Sequence, residues 1–120
     1  ISEIKKECER THQRVPSEIG ELMQCVYNSL ALCYKEAIEN LENITGKHFT
    51  SINIVGGGCQ DDYLNEKTAK ATNRVVYAGP IEGTAIGNLI VQMITFEEIK
   101  DLEEARKMIK HSFQVKEVQP

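Results

Sequence analysis

The chain has 120 residues, 41% of them apolar and 27% charged, enough for one domain with a modest core and ordinary for a globular protein. Its net charge of -4 comes from acidic residues spread through helix-like segments, and no segment concentrates lysine and arginine. That argues against nucleic-acid binding by phosphate neutralisation, and Lys5-Lys6 reads as a solvated helix face. The apolar runs are short and no basic segment leads into one, so neither a membrane span nor an export signal is expected and the cytoplasm is the expected compartment.

Ile1 opens in helix-like sequence, which leads to the expectation of a piece cut from a longer chain. Ser2 to His12 is charged and helix-permissive, and Val15-Pro16 ends it. Ser17 reads as an N-cap, with Glu18 and Glu21 in a first turn where the helix dipole favours negative charge. From Ile19 through Leu22, Met23, Val26, Leu30, Cys33, Ala37, Ile38, Leu41 and Ile44 the apolar residues recur at the helical period until Gly46 stops them, predicting a long core helix of roughly 40 Å.

After Gly46-Lys47-His48, the short β-branched run Ser51 to Val55 ends in Gly56-Gly57-Gly58, a strand feeding a glycine turn. Asp61 to Thr72 returns to helical composition, with Leu64, Thr68 and Ala71 on one face, and Arg74 to Ala78 reads as a second strand stopped by Gly79-Pro80. Two strands joined by a helix make a parallel, right-handed βαβ unit. Glu82 to Ile94 suits a helix packing back on the sheet through Ala85, Ile86, Leu89, Ile90 and Met93. Asp101 caps a last amphipathic helix carrying Leu102, Ala105, Met108 and Ile109, and Gln114 to Pro120 is expected to be an extended terminus. The expected order is α-α-β-α-β-α-α over a single unit, residues 1–120.

Most familiar chemistry finds no support. Cys8, Cys25, Cys33 and Cys59 form no C-x-x-C pair and have no histidines at finger spacing, so zinc is not expected. Cys8 and Cys25 come within reach of each other if the first two helices pack together, but a cytoplasmic compartment keeps thiols reduced. His12, His48 and His111 are isolated from any nucleophile, and Cys59 lacks an evident base. Asp61-Asp62, at a helix start, reads as a cap before it reads as a metal pair.

The glycine turn is the one segment with a specific physical reading. Three glycines remove every Cβ, so a flat or charged ligand can approach the backbone, and N–H groups at the following helix start can face phosphate oxygens. A nucleotide is the implied ligand class, with a purely structural turn as the alternative. A dinucleotide fingerprint would need glycine at Asp61, and no Gly-Lys-Ser/Thr ending exists for a P-loop.

Ile54 to Gln60, continuing through Leu64-Asn65, Ala69 and Ala71-Thr72, resembles the C-terminal domain of FGGY carbohydrate kinases. Val76 to Pro80 and Glu82-Gly83-Thr84-Ala85-Ile86-Gly87-Asn88 are similar to the next strand and its Glu-Ala-Thr-Ala-x-Gly-Asn block. The phrase Ala78-Gly79-Pro80-Ile81-Glu82, with Gly20-Glu21-Leu22 and Asn28 to Leu32, is similar to the rhamnulokinase branch in particular.

The resemblance implies an α/β fold, a partial actin-like, ribonuclease-H-like ATPase domain that closes over Mg-ATP against a partner domain holding the sugar. It implies that the backbone at Gly56, Gly57 and Gly58, with Gly57 foremost, and the neighbouring Gln60 and Asp61 contact the nucleotide. Asp61 stands where the family usually has an asparagine that helps hold the adenine; it keeps an acceptor and loses the amide donor. Lys70 and Gly83 also depart from the family's aspartate and alanine. The general base, the phosphate loop and the magnesium ligands match nothing in this chain, so the chain alone is expected to be inactive. The implied reaction is ATP-dependent phosphorylation of L-rhamnulose, with another ketose or polyol kinase, or a noncatalytic nucleotide-binding or assembly module, as alternatives. An uncovered sheet edge and long helix face lead to the expectation of a homo-oligomer.

Overall fold

Alternating charge at the start of the chain folds as a short helix, α1 (Ser2–Arg10), in the computed structural model, which describes residues 1–120. Glu3 pairs with Lys6 and Glu7 with Arg10 one turn along, the spacing at which helical side chains meet. Cys8 is the only buried residue of α1. The chain passes Pro16 into α2 (Ile19–Thr45). The expected cap moves by one residue: Glu18 occupies the N-cap position, while Ser17 donates its backbone N–H and its hydroxyl to Oε2 of Glu21. The serine hydroxyl is thereby committed to a carboxylate and is not free to accept from the helix start. Gly46 closes α2 in the left-handed conformation, φ 65°, and donates to the Glu42 carbonyl, as a C-terminal glycine does.

Only Leu22 and Ala31 of α2 are fully buried. One face of α2 packs on α3 (Asp62–Thr72), whereas Ile19, Met23, Leu41 and Ile44 stand exposed on the uncovered face anticipated from the sequence.

Strands β1 (Ser51–Ile54) and β2 (Val75–Ala78) run parallel, in register from Ser51 with Val75 to Ile54 with Ala78, and α3 connects them. The tail is extended as expected, and it also pairs: β3 (Lys116–Val118) lies antiparallel on the far side of β2, placing Val118 beside Val76 and Lys116 beside Ala78. The sheet order is β1-β2-β3, so β2 is central and β1 has a free edge. Val76 and Ala78 are buried, as are Thr68, Ala69 and Thr72 of α3, which packs on β2.

Helices α4 (Gly83–Thr95) and α5 (Leu102–Ser112) build a separate small core of Ile86, Ile90, Ile99 and Ala105, with Met93, Ile94 and Ile109 against it. Asp101 caps α5 as expected, its Oδ1 accepting from the N–H groups of Glu103 and Glu104.

Arg74 fastens the start of the sheet to the end of α2. Its guanidinium donates to the Phe49 carbonyl at 2.7 Å, the Thr72 carbonyl at 2.6 Å and Oε1 of Glu42 at 2.8 Å. Glu42 also accepts from the Phe49 N–H, and that bond and the guanidinium hold its carboxyl below the usual range. The result is an α/β fold around a parallel βαβ unit, the architecture of an actin-like, ribonuclease-H-like ATPase domain. No helix is long and apolar enough to cross a membrane.

Candidate functional site

The glycine turn leaves the carboxyl end of β1 and becomes a single 3-10 turn, Gly57–Gln60, before α3. Gly56 has φ 83° and ψ -173°, a region in which only glycine is comfortable. Its N–H reaches the Pro80 carbonyl at 3.1 Å, and Gly79 N–H reaches the Ile54 carbonyl at 2.8 Å, so the two strands stay joined up to the turn.

Gly57 and Gly58 differ from Gly56. Neither has a positive φ, and a Cβ built on either would meet nothing within 4 Å. Neither packing nor backbone conformation demands glycine at these two positions. Their N–H groups donate to no carbonyl of the chain. The turn therefore offers open space and free donors side by side.

Asp61 closes the turn. Its Oδ1 accepts from the Leu64 N–H at 3.0 Å as the N-cap of α3, and its Oδ2 accepts from the Tyr27 hydroxyl at 2.6 Å. These bonds, the Tyr27 one first, hold the Asp61 carboxyl below its ordinary range, and the same carboxylate pushes the Tyr27 phenol up. The start of α3 is thus capped from within, and Asp61 and Asp62 make it acidic. The cap takes up the Leu64 N–H, and the Gly57 and Gly58 donors lie just ahead of it. Asp62 is bound through both oxygens by Lys116 of β3, at 2.8 and 2.9 Å. Gln60 is exposed and its side chain is not hydrogen-bonded within the chain.

Two further residues shape the site. Tyr27 meets Tyr63 edge to face, with ring centroids 5.2 Å apart, so it both packs beside and bonds to the start of α3. Asn65, fully buried, donates Nδ2 to the Cys59 carbonyl at 2.9 Å and pins the turn from beneath. Asn65 lies within the quoted family pattern, but the sequence alone gave it no task. Tyr27 lies on a different helix, and no local signal connects it to Asp61.

Beside Gly58 a groove of about 450 Å³ runs between α2, β1 and α3, walled by Tyr34, Ile38, Ile52 and Leu64. Asn65 Oδ1 and Thr68 Oγ1 belong to residues lining it, and both are buried without a hydrogen-bond partner. No group of three or more His, Cys, Asp or Glu side chains gathers anywhere in the chain. The four cysteines are free, and burial, with Cys25 beside it, pushes the Cys8 thiol up, so the two residues that the sequence left within possible reach lie near each other.

Residues 5–96, which take in α2, the glycine turn, the βαβ unit and all of α4, match the FGGY family of carbohydrate kinases, C-terminal domain. The chain belongs to this family. Similar proteins include the rhamnulokinase of Bacillus subtilis (strain 168), 47% identical over all 120 residues, and that of Halalkalibacterium halodurans, 47% identical over 116 residues or 97% of the chain. The rhamnulokinase of Lactiplantibacillus plantarum is 40% identical over all 120 residues. The chain spans 25% of the length of each of these relatives. At Gly83 a Cβ would lie 3.1 Å from Cβ of Val55, close enough that Val55 would have to give way by a few tenths of an ångström.

Proposed function

We propose that residues 1–120 form the C-terminal, nucleotide-side part of a longer cytoplasmic kinase that transfers the γ-phosphoryl group of Mg-ATP to L-rhamnulose, giving L-rhamnulose 1-phosphate. The single observation that carries the nucleotide reading is the pair Gly57 and Gly58, glycines that the fold does not require, with open space and unused N–H groups. The likeness to rhamnulokinases along the whole chain supports the choice of sugar.

In this reading Gly57 and Gly58 admit the nucleotide to the backbone, while Gly56 sets the direction of the turn. Gln60 offers an unengaged amide at its rim. Asp61 uses one accepting position on each oxygen for Leu64 and Tyr27 and keeps capacity for a ligand donor, since a carboxylate accepts about four bonds. Its first task is to hold the turn in shape. ATP supplies the transferred group, and Mg²⁺ accompanies its phosphates, with ligands from the rest of the kinase. Phosphoryl transfer depends on groups placed around both substrates, so this chain binds and positions but does not turn over alone.

Calorimetric titration of ATP into this chain and into the longer kinase tests the reading. Binding is expected in both, weaker here, and Gly57→Val in the longer kinase should raise the KM for ATP far more than that for the sugar. Equal effects on both constants, or none, would make the turn structural only. A coupled assay of this chain with Mg-ATP and L-rhamnulose should show no turnover; activity abolished by one point change within these residues would overturn the division of labour.

A further inference from the structure

We propose that the cleft between α5 and the face of the sheet turned away from α3 binds a small phosphate monoester. The cleft has a volume of about 600 Å³, within the range of about 300 to 1,000 Å³ usual for small-molecule sites. Asn53 and Tyr77 line one wall; they are register partners on parallel strands, so their side chains share a sheet face. Arg106 and Lys110, one helical turn apart on α5, line the other, and Val55 and Ile109 add apolar surface between.

None of these four polar side chains has a partner within the chain. Lys107, on a neighbouring face of the same helix, is paired with Glu103, but Arg106 and Lys110 enter no ion pair, and no aspartate or glutamate lines the cleft. Like charges four residues apart on a helix repel. Lys110, in the last turn, is compensated by the helix dipole, whereas Arg106 sits a turn earlier where that field has faded. A doubly charged anion between them relieves the repulsion. The guanidinium offers a planar fork and the ammonium a point charge, a donor set suited to phosphate oxygens. The Asn53 amide and the Tyr77 phenol, across the cleft, suit hydroxyl groups on the esterified carbon skeleton.

One end of the cleft is fixed by the passage of the tail over Gly79, which has φ 125° and where a Cβ would come within 2.7 Å of the Gln114 carbonyl oxygen. The cationic wall belongs to α5, beyond the residues matched to the family domain. The inference rests on these side chains and stands apart from the kinase reading.

The test is a titration of the full 120-residue chain with inorganic phosphate, a ketose 1-phosphate and AMP, followed by amide chemical shifts, on the native chain and on Arg106→Gln/Lys110→Gln. Shifts centred on Arg106, Lys110, Asn53 and Tyr77 are expected, with affinity for a monoester at least tenfold weaker in the double variant. A preference for the ketose phosphate names a sugar ester as the source, and one for AMP a nucleotide. Inorganic phosphate binding as tightly as both esters would overturn the ester assignment. Affinity unchanged in the variant, or shifts confined to the glycine turn, would overturn the site. Both substituted positions are exposed on a helix surface and should not disturb folding; if the double variant fails to fold, Arg106→Gln alone should still weaken binding about threefold, and no weakening there also overturns the site.

Discussion

The hydroxyl of Tyr27 donates to Oδ2 of Asp61 across 2.6 Å, so a residue on α2 holds the residue that ends the glycine turn. Asp61 has a depressed carboxyl in the fold, so its contribution to stability is present above its ordinary value of 3.8 and is lost as pH falls through the folded value. Tyr27→Phe removes the first cause of that depression. Thermal midpoints followed from about pH 7 to about pH 2 should show the variant a few degrees less stable at neutral pH, with its acid transition moved to higher pH and the two curves converging at the acid end. Parallel curves at every pH would mean that the bond is not coupled to the carboxylate.

The three glycines of the turn should separate cleanly by stability. Gly56→Ala places a Cβ on a backbone that L residues avoid and should cost about 1 to 3 kcal/mol in denaturant unfolding. Gly57→Ala and Gly58→Ala meet nothing within 4 Å and should unfold within about 0.5 kcal/mol of the native chain. A large loss at either would return them to a structural role.

Thr68 is fully buried and its hydroxyl has no partner. Thr68→Val keeps the shape and removes the stranded oxygen, so it should leave stability unchanged or raise it by up to about 1 kcal/mol. A loss on the same order in this chain would show that the hydroxyl is satisfied in solution.

Arg74 carries three short bonds that tie α2, the entry to β1 and the end of α3 together. Arg74→Ala strands two carbonyls and should cost about 2 to 3 kcal/mol. Arg74→Lys, which cannot reproduce the fork, should recover only part of that. Full recovery by lysine would reduce the site to a charge contact.

The open edge of β1 and the exposed apolar residues of α2 should drive association of this chain, a homodimer being the simplest form. Sedimentation equilibrium at micromolar to tens of micromolar protein is expected to show species heavier than 13.5 kDa. A clean monomer with cooperative unfolding would contradict it.

The elements that carry long periods or strong punctuation were readable from the sequence: the repeat of α2 to Gly46, the parallel pair around the glycine turn, and Asp101 as the cap of α5. The tail was readable as extended but not as a strand, because three residues are too few to display alternation and their register depends on Gly79 and β2. The site was legible as a turn but not in its division of tasks. Only the backbone angles of Gly56, and the space around Gly57 and Gly58, distinguish a glycine the fold needs from one it does not. The partner of Asp61 was hidden because Tyr27 is 34 residues away and nothing in its own segment refers to the turn.

Lys116 holds both oxygens of Asp62 while its own strand covers the outer side of β2. The outer edge of β2 is thereby taken up, and the sheet ends in two unlike edges, the four-residue β1 on one flank and the three-residue β3, with Lys116 and Glu117, on the other. Removing the last five residues would exchange a short, charged edge for the apolar strand Val75–Ala78, the kind of edge that invites pairing with another chain.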